Sequence, residues 1–200
     1  VEAGGGEPIK IGMINQENTP IGSFPELRLG AAAAAAFINA ELGGVDGRPI
    51  EIVPCITTFS VETSQSCAQE LVQKEVAVVT GGIDITSSGS MPVLEQNDMP
   101  YIGGIPVNFE EMRSPISFQF SGGAPGAMVA FAKHAADQGY ENGAVVYAVY
   151  PPMKAAAVDY GVATLRRLGV DQASEVSFNI LATDFLPILT KANETRPDAI

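Results

Sequence analysis

The two cysteines, Cys55 and Cys67, are the residues of this chain with the most distinctive chemistry. The first follows a predicted strand, and the second lies in the second turn of the next predicted helix. A disulfide between them would stabilise the fold by about 3 kcal/mol in the chain-entropy model. Two buried thiols are the alternative; we favour the disulfide, which implies an oxidising compartment. No metal site is expected, because the single histidine, His134, has no other soft ligand near it in the sequence.

Motifs for catalysis are missing from the sequence. The dinucleotide fingerprint G-x-G-x-x-G is absent after the first strand, where the chain reads Gly12-Met13-Ile14. No G-x-S-x-G elbow occurs either. We interpret His134 as a solvated helix residue rather than a catalytic base. The sequence therefore predicts a protein that is not an enzyme and that carries no cofactor.

A polar loop at residues 83–88 follows the apolar segment 76–80, which is typical of a parallel strand covered on both faces. Ligands of open parallel sheets bind beside the carboxyl ends of the strands, so this loop is a candidate binding surface. The alternative is that Asp84, Thr86 or Ser87 caps the helix that follows.

A βαβ unit with a long first loop opens the chain. The pattern predicts a strand at 9–14, a loop at 15–25 that contains Phe24, a helix at 26–42 and a strand at 50–53. Further strands are predicted at 76–80, 99–102, 116–120, 143–149 and 175–178, and further helices from residue 60 and at 88–96, 125–138, 153–168 and 184–194. Alternating strands and helices predict an α/β fold with parallel sheets.

The charge and the apolar content of the chain limit the classes of molecule that it can bind. The net charge of −12 and the pI of about 4.4 exclude a nucleic-acid-binding surface and disfavour anionic membranes. No apolar stretch approaches the roughly 20 residues that span a bilayer. Residues 1–7 are predicted to be a flexible tether without the features of a signal peptide. We expect a mature secreted chain, with or without a lipid anchor upstream of residue 1.

Several segments, in their order and spacing, resemble one family. The chain is similar to the extracellular solute-binding proteins of ABC importers, in the Leu/Ile/Val-binding (type I periplasmic) group. The segments that carry the resemblance are Ile9-Lys10-Ile11-Gly12, Gly30, Phe37-Ile38-Asn39-Ala40, Gly43-Gly44-Val45, Gly47-Arg48-Pro49-Ile50, Val78-Val79-Thr80-Gly81-Gly82, Pro100-Tyr101-Ile102, Leu168-Gly169-Val170, Thr183-Asp184-Phe185 and Pro197-Asp198-Ala199-Ile200.

The resemblance implies two Rossmann-like lobes that clamp a ligand in the cleft between them. Residues 8–120 would form the N-terminal lobe and residues 121–200 the first part of the C-terminal lobe. The second set of elements stops at residue 200 while its sheet is still being built, so we expect the chain to be a fragment with an incomplete second lobe. The pair Cys55 and Cys67 also looks like a disulfide of many secreted members.

The family also implies a periplasmic or extracellular location and an ABC permease as the partner. A ligand-sensing module of a receptor or regulator with the same fold is the alternative function. The ligand-binding positions that the resemblance implies are Phe24, Ile83, Asp84, Ile85, Thr86, Gly104, Ile105, Val107, Tyr150 and Met153.

The ligand is expected to be a small organic solute. Ile105 and Val107 stand where the family has small residues and threonine, which predicts a more apolar pocket. Branched-chain amino acids are the family default, and an aromatic acid, an amide or a lipid-derived acid would fit these loops at least as well.

Overall fold

The computed structural model describes residues 5–200 and divides into two units, one ending at Ser121 and the other covering Gly122–Ile200. Of the predicted tether at 1–7, residues 1–4 lie outside the described residues. The next three are exposed, and the Arg48 side chain donates a hydrogen bond of 2.9 Å to the carbonyl of Glu7. The α/β prediction is confirmed in both units.

The first unit is built on a five-stranded parallel sheet in the order β2-β1-β3-β4-β5. Its strands are β1 (Ile9–Gln16), β2 (Ile50–Thr57), β3 (Val78–Gly81), β4 (Tyr101–Ile102) and β5 (Ser117–Phe118). The central strand β1 is buried from Gly12 onwards. A Cβ on Gly12 would lie 3.0 Å from a methyl carbon of Leu71, so glycine lets the next helix pack close to the strand.

Strand β2 runs four residues further than the predicted 50–53, through Pro54 to Thr57. Proline removes one backbone donor, which a central strand would need for its ladder. Because β2 is an edge strand, the chain tolerates Pro54 there and the pairing with β1 continues. Strand β2 thereby ends beside the end of β1, where Thr57 pairs with Gln16.

The helices of the first unit are α1 (Pro25–Glu41), α2 (Val61–Gln73), α3 (Ser90–Gln96) and α4 (Phe109–Arg113). The predicted cap of α2 is confirmed, since the Ser60 hydroxyl accepts a 3.2 Å hydrogen bond from the Thr63 N–H. Helix α4 was not predicted. Its capping box, formed by Asn108 and Glu111, is a sequence signal that could have located it.

The core of the first unit lies between the sheet and α2 and α3. Its buried members include Ile14, Leu71, Val79, Leu94 and Tyr101. The disulfide between Cys55 and Cys67 is present, with an S–S distance of 2.07 Å, and ties β2 to α2 at the edge of this core. The predicted pairing is therefore confirmed.

The second unit holds a parallel pair of strands, β6 (Asn142–Ala148) and β7 (Gln172–Phe178). Ala199 forms a parallel bridge with Gly143 on β6, where the sequence predicts the first residues of a further strand. The helical elements are α5 (Gly123–Asp137), α6 (Pro151–Lys154), a π-helix (Ala155–Val162), α7 (Ala163–Arg167), α8 (Leu186–Ala192) and a 3₁₀ turn (Asn193–Thr195).

The helix predicted at 153–168 begins two residues earlier, at Pro151. The first helical residues need no backbone donor within the helix, so the two prolines there are compatible with it. This places Tyr150 at the N-cap position and Met153 in the first turn.

Candidate functional site

Three loops meet at the carboxyl edge of the sheet in the first unit. They follow β1 (residues 17–24), β3 (residues 82–89) and β4 (residues 103–108). The 82–89 loop is hydrogen-bonded to the end of β1, where the N–H of Gln16 donates to the carbonyl of Ile83 over 2.8 Å. It is also hydrogen-bonded to the 103–108 loop, where the N–H of Ile105 donates to the carbonyl of Gly82 over 3.0 Å. Ligands of parallel sheets bind at this edge, so we take it as the candidate site.

Asn15, at the end of β1, connects two of these loops. It is fully buried, and its amide donates to the Phe24 carbonyl over 2.7 Å and to a Glu17 carboxylate oxygen over 3.1 Å. The side-chain oxygen of Asn15, Oδ1, accepts a hydrogen bond from the Ile83 N–H over 3.2 Å. The sequence prediction missed Asn15, although a polar residue that ends an apolar strand is a signal for this position.

Glu17 and Arg28 form a two-point ion pair beside Asn15. The guanidinium donates to both carboxylate oxygens of Glu17, over 2.8 and 3.1 Å. These hydrogen bonds from Arg28 lower the pKa of the Glu17 carboxyl, and they raise the pKa of Arg28. The pair holds the start of the 17–24 loop against α1.

The predicted ligand residue Phe24 is half-buried at the N-cap position of α1. Its ring lies against the backbone of Gly22, where a Cβ would come within 2.8 Å of the ring. The Gln16 amide donates to the Gly22 carbonyl over 3.2 Å and so fixes the same turn. The Phe24 ring thus packs on the turn of its own loop, and the residue as a whole is only partly buried.

Asp84 is 1% exposed, and both oxygens of its carboxylate accept hydrogen bonds from residues of the first unit. One oxygen accepts from the hydroxyl and N–H of Thr86, over 2.7 and 3.0 Å, and from the Thr57 hydroxyl over 3.3 Å. The other accepts the Ser64 hydroxyl over 2.6 Å. Asp84 therefore fastens the 82–89 loop to β2 and α2. It is not the N-cap of α3, which is Gly89.

The predicted site residues of this unit fall into two groups. Asp84, Ile85, Thr86 and Val107 are buried, so their side chains are not at the surface that a solute reaches. Ile83 and Gly104 are half-buried, like Phe24, and Ile105 is 44% exposed. The side chains that remain partly or largely exposed in these loops are therefore those of Phe24, Ile83 and Ile105.

A second buried network of hydrogen bonds joins the end of the 103–108 loop to α4 and β4. One carboxylate oxygen of Glu111 accepts the backbone N–H groups of Val107 and Asn108, over 2.8 and 3.0 Å. The Tyr101 hydroxyl donates to the other oxygen over 3.2 Å. Burial raises the pKa of Glu111 to about 7, against the opposing effect of the two N–H groups. Burial and the Glu111 charge likewise raise the pKa of Tyr101.

In the second unit, Tyr150 and Met153 follow the carboxyl end of β6 and are half-buried. The carbonyl of Tyr150 accepts the N–H of Lys154 over 2.9 Å, which starts the helical run. His134 is exposed on α5, as expected for a solvated helix residue. Among residues 5–200 no group of three or more His, Cys, Asp or Glu side chains has metal-binding geometry.

A family model described as periplasmic binding protein matches residues 8–200. The chain belongs to the periplasmic binding protein family. The name of the family places its members in the periplasm. Within the part of the chain that the structure describes, no helix is both long and apolar enough to cross a membrane.

Solved structures of periplasmic binding proteins share the fold. A leucine-binding protein, LivK, from Thermotoga maritima has a TM-score of 0.78 at 20% identity, covering 96% of this chain and 55% of that chain. A solute-binding protein from Rhodopseudomonas palustris in complex with 3,4-dihydroxybenzoic acid has a TM-score of 0.76 at 22% identity, covering 96% and 54%. Another R. palustris solute-binding protein, in complex with 4-hydroxybenzoate, has a TM-score of 0.74 at 21% identity, covering 96% and 54%.

The chain thus spans about half the length of the solved periplasmic binding proteins that it matches. No curated protein matches it.

Proposed function

We propose that this chain belongs to the substrate-binding component of an ABC importer and captures a small solute at the sheet edge of its first unit. The observation that carries the proposal is the fixed arrangement of three loops at that edge, in a periplasmic binding protein fold. The permease of the importer would be its membrane partner. The periplasm or the cell exterior would be its location, with a lipid anchor as one means of attachment.

The solute in this proposal has an apolar or aromatic body. Phe24, Ile83 and Ile105 supply the accessible apolar surface of the site. Glycine at 104 lets the 103–108 loop pack against Gly81, where a Cβ would lie 3.1 Å from the Gly81 Cα. An ordinary amino-acid ammonium would need an acidic partner, but the nearby carboxylate of Asp84 is buried and engaged by four donor groups. Burying an ion without a partner is costly, so this surface favours the less polar solute.

Two solved relatives are in complex with hydroxylated benzoic acids. We therefore name 4-hydroxybenzoate and related aromatic acids as the first ligands to test, with leucine as the alternative. Tyr150 and Met153 are the residues that the second unit would contribute. Both are half-buried and follow the carboxyl end of β6.

The test is a calorimetric and thermal-shift titration of the full-length protein with benzoate, 4-hydroxybenzoate, 3,4-dihydroxybenzoate and leucine. A ligand at 100 times its Kd should add about 2.7 kcal/mol to the free energy of unfolding. Phe24→Ala should weaken binding about tenfold, because it removes an accessible aromatic contact. Phe37→Ala is the matched control, since Phe37 is 58% exposed on α1.

Strong stabilisation by leucine with no effect of the aromatic acids would overturn the choice of solute. Equal affinities of the Phe24→Ala and Phe37→Ala variants would overturn the location of the site. No binding of any of the four ligands would contradict the proposed solute class.

A further inference from the structure

The buried carboxylate of Glu111 accepts hydrogen bonds from the end of one site loop, 103–108. Glu111 is 1% exposed and lies in the first turn of α4. One of its carboxylate oxygens accepts hydrogen bonds from the last two backbone N–H groups of the 103–108 loop, those of Val107 and Asn108. Two donors on one carboxylate oxygen fix the backbone direction at that point, because the hydrogen bonds to a charged acceptor are strong.

Asn108 carries this restraint to the loop after β3. Its side-chain amide donates to the Ile85 carbonyl over 3.0 Å and to the Ser87 hydroxyl oxygen over 2.7 Å. Buried hydrogen bonds thus run from Glu111 through Asn108 to Ile85 and Ser87 and connect the two loops.

We propose that Glu111 is a positioning residue for ligand binding, which sets the separation of the 82–89 and 103–108 loops and makes it dependent on pH. The proposal deepens the proposed function and rests on it for the identity of the site. Glu111 itself touches no ligand in this proposal. It acts through the backbone of the loops that present Ile83, Gly104 and Ile105.

Two titratable groups face the Glu111 carboxyl. Tyr101 on β4 donates to it, and the negative charge of Asp84 in the loop after β3 acts against its ionisation. On α4 itself, Glu110 and Arg113 are exposed. Burial is the largest effect and raises the pKa of Glu111 to about 7. The carboxyl therefore changes its protonation state in the neutral range.

Protonation changes what this carboxyl can do. The ionised form offers only acceptors, whereas the neutral form has one oxygen that donates a hydrogen bond. The two backbone N–H groups then lose a charged acceptor, and hydrogen bonds to neutral acceptors are weaker. A glutamine at this position would keep one acceptor oxygen for the same N–H groups but would not titrate.

The first experiment measures amide hydrogen exchange in the ligand-free, full-length protein at about pH 6 and pH 8, expressed as protection factors. Glu111→Ala should lower protection in segments 82–89 and 103–108 about tenfold or more, while Glu111→Gln stays within about threefold of wild type. Wild-type protection of these segments should differ between the two pH values, and that of Glu111→Gln should not. Glu110→Ala and Glu110→Gln are the matched controls on the same helix.

The second experiment measures the Kd of 4-hydroxybenzoate and of leucine across the same pH range. The wild-type Kd should change with a midpoint near pH 7, and the Glu111→Gln Kd should lack that change. Identical pH profiles of protection and of Kd in wild type and Glu111→Gln would overturn the proposal. If neither probe binds wild type, the proposed function fails, and the exchange data still decide the role of Glu111. If Glu111→Ala does not fold, the comparison of wild type with Glu111→Gln decides it alone.

Discussion

Removing the carboxylate of Asp84 tests the distinction between residues that shape the site and residues that touch the solute. Asp84 accepts hydrogen bonds from Thr57, Ser64 and Thr86 and is 1% exposed. Asp84→Ala would leave these donors without their acceptor in a buried place. Breaking such a network costs about 3–5 kcal/mol in the free energy of unfolding.

Asp84→Asn provides a graded comparison. The amide keeps one oxygen acceptor for the Thr86 N–H, and its NH₂ group would face the Ser64 hydroxyl oxygen in place of the second acceptor. We expect a loss of about 1–2 kcal/mol, because charge-assisted hydrogen bonds become neutral ones. The expected order of stability is wild type, Asp84→Asn, Asp84→Ala.

Urea unfolding followed by circular dichroism measures the effect, with Asp171→Ala as the control because Asp171 is exposed. The affinity of 4-hydroxybenzoate is measured under conditions in which each variant is folded. A loss below about 1 kcal/mol in Asp84→Ala would refute the structural role. A large loss of affinity in Asp84→Asn at unchanged stability would refute it too, since Asp84 would then be a ligand contact.

Three further outcomes are expected. Replacing Cys55 and Cys67 by alanine should lower the free energy of unfolding by about 3 kcal/mol, because the bridge closes a loop with a sequence separation of 12; exposed-thiol titration of the denatured, non-reduced wild type should detect no free thiol. The raised pKa of Glu111 means that its proton stabilises the folded state at acid pH. In unfolding titrations, the stability of wild type relative to that of Glu111→Gln should fall by up to about 3 kcal/mol as the pH rises from 4.5 through about 7. Arg28→Ala should raise the pKa of Glu17 toward 4.5, measured by carboxyl NMR.

Much of the fold could be predicted from the sequence, because local patterns encode it. Apolar runs marked the parallel strands, the Ser60 cap marked the start of α2, and the cysteine spacing marked the disulfide. The boundaries were less predictable. Strand β2 continues through Pro54 because of its edge position, which depends on the sheet order and not on the residue itself.

The site was predicted as a set of loops, and those loops do meet at the sheet edge. Which of their residues are accessible was not predictable, since the burial of Asp84 follows from partners 20 and 27 residues away, Ser64 and Thr57. Glu111 was missed although its capping box with Asn108 is a local sequence signal. The sequence by itself determined the family and the order of the strands and of most helices, because strand and helix periodicity are local. Only the tertiary structure decided which polar side chains face one another and which remain for a solute, because a buried polar group takes its partners from wherever the chain brings them.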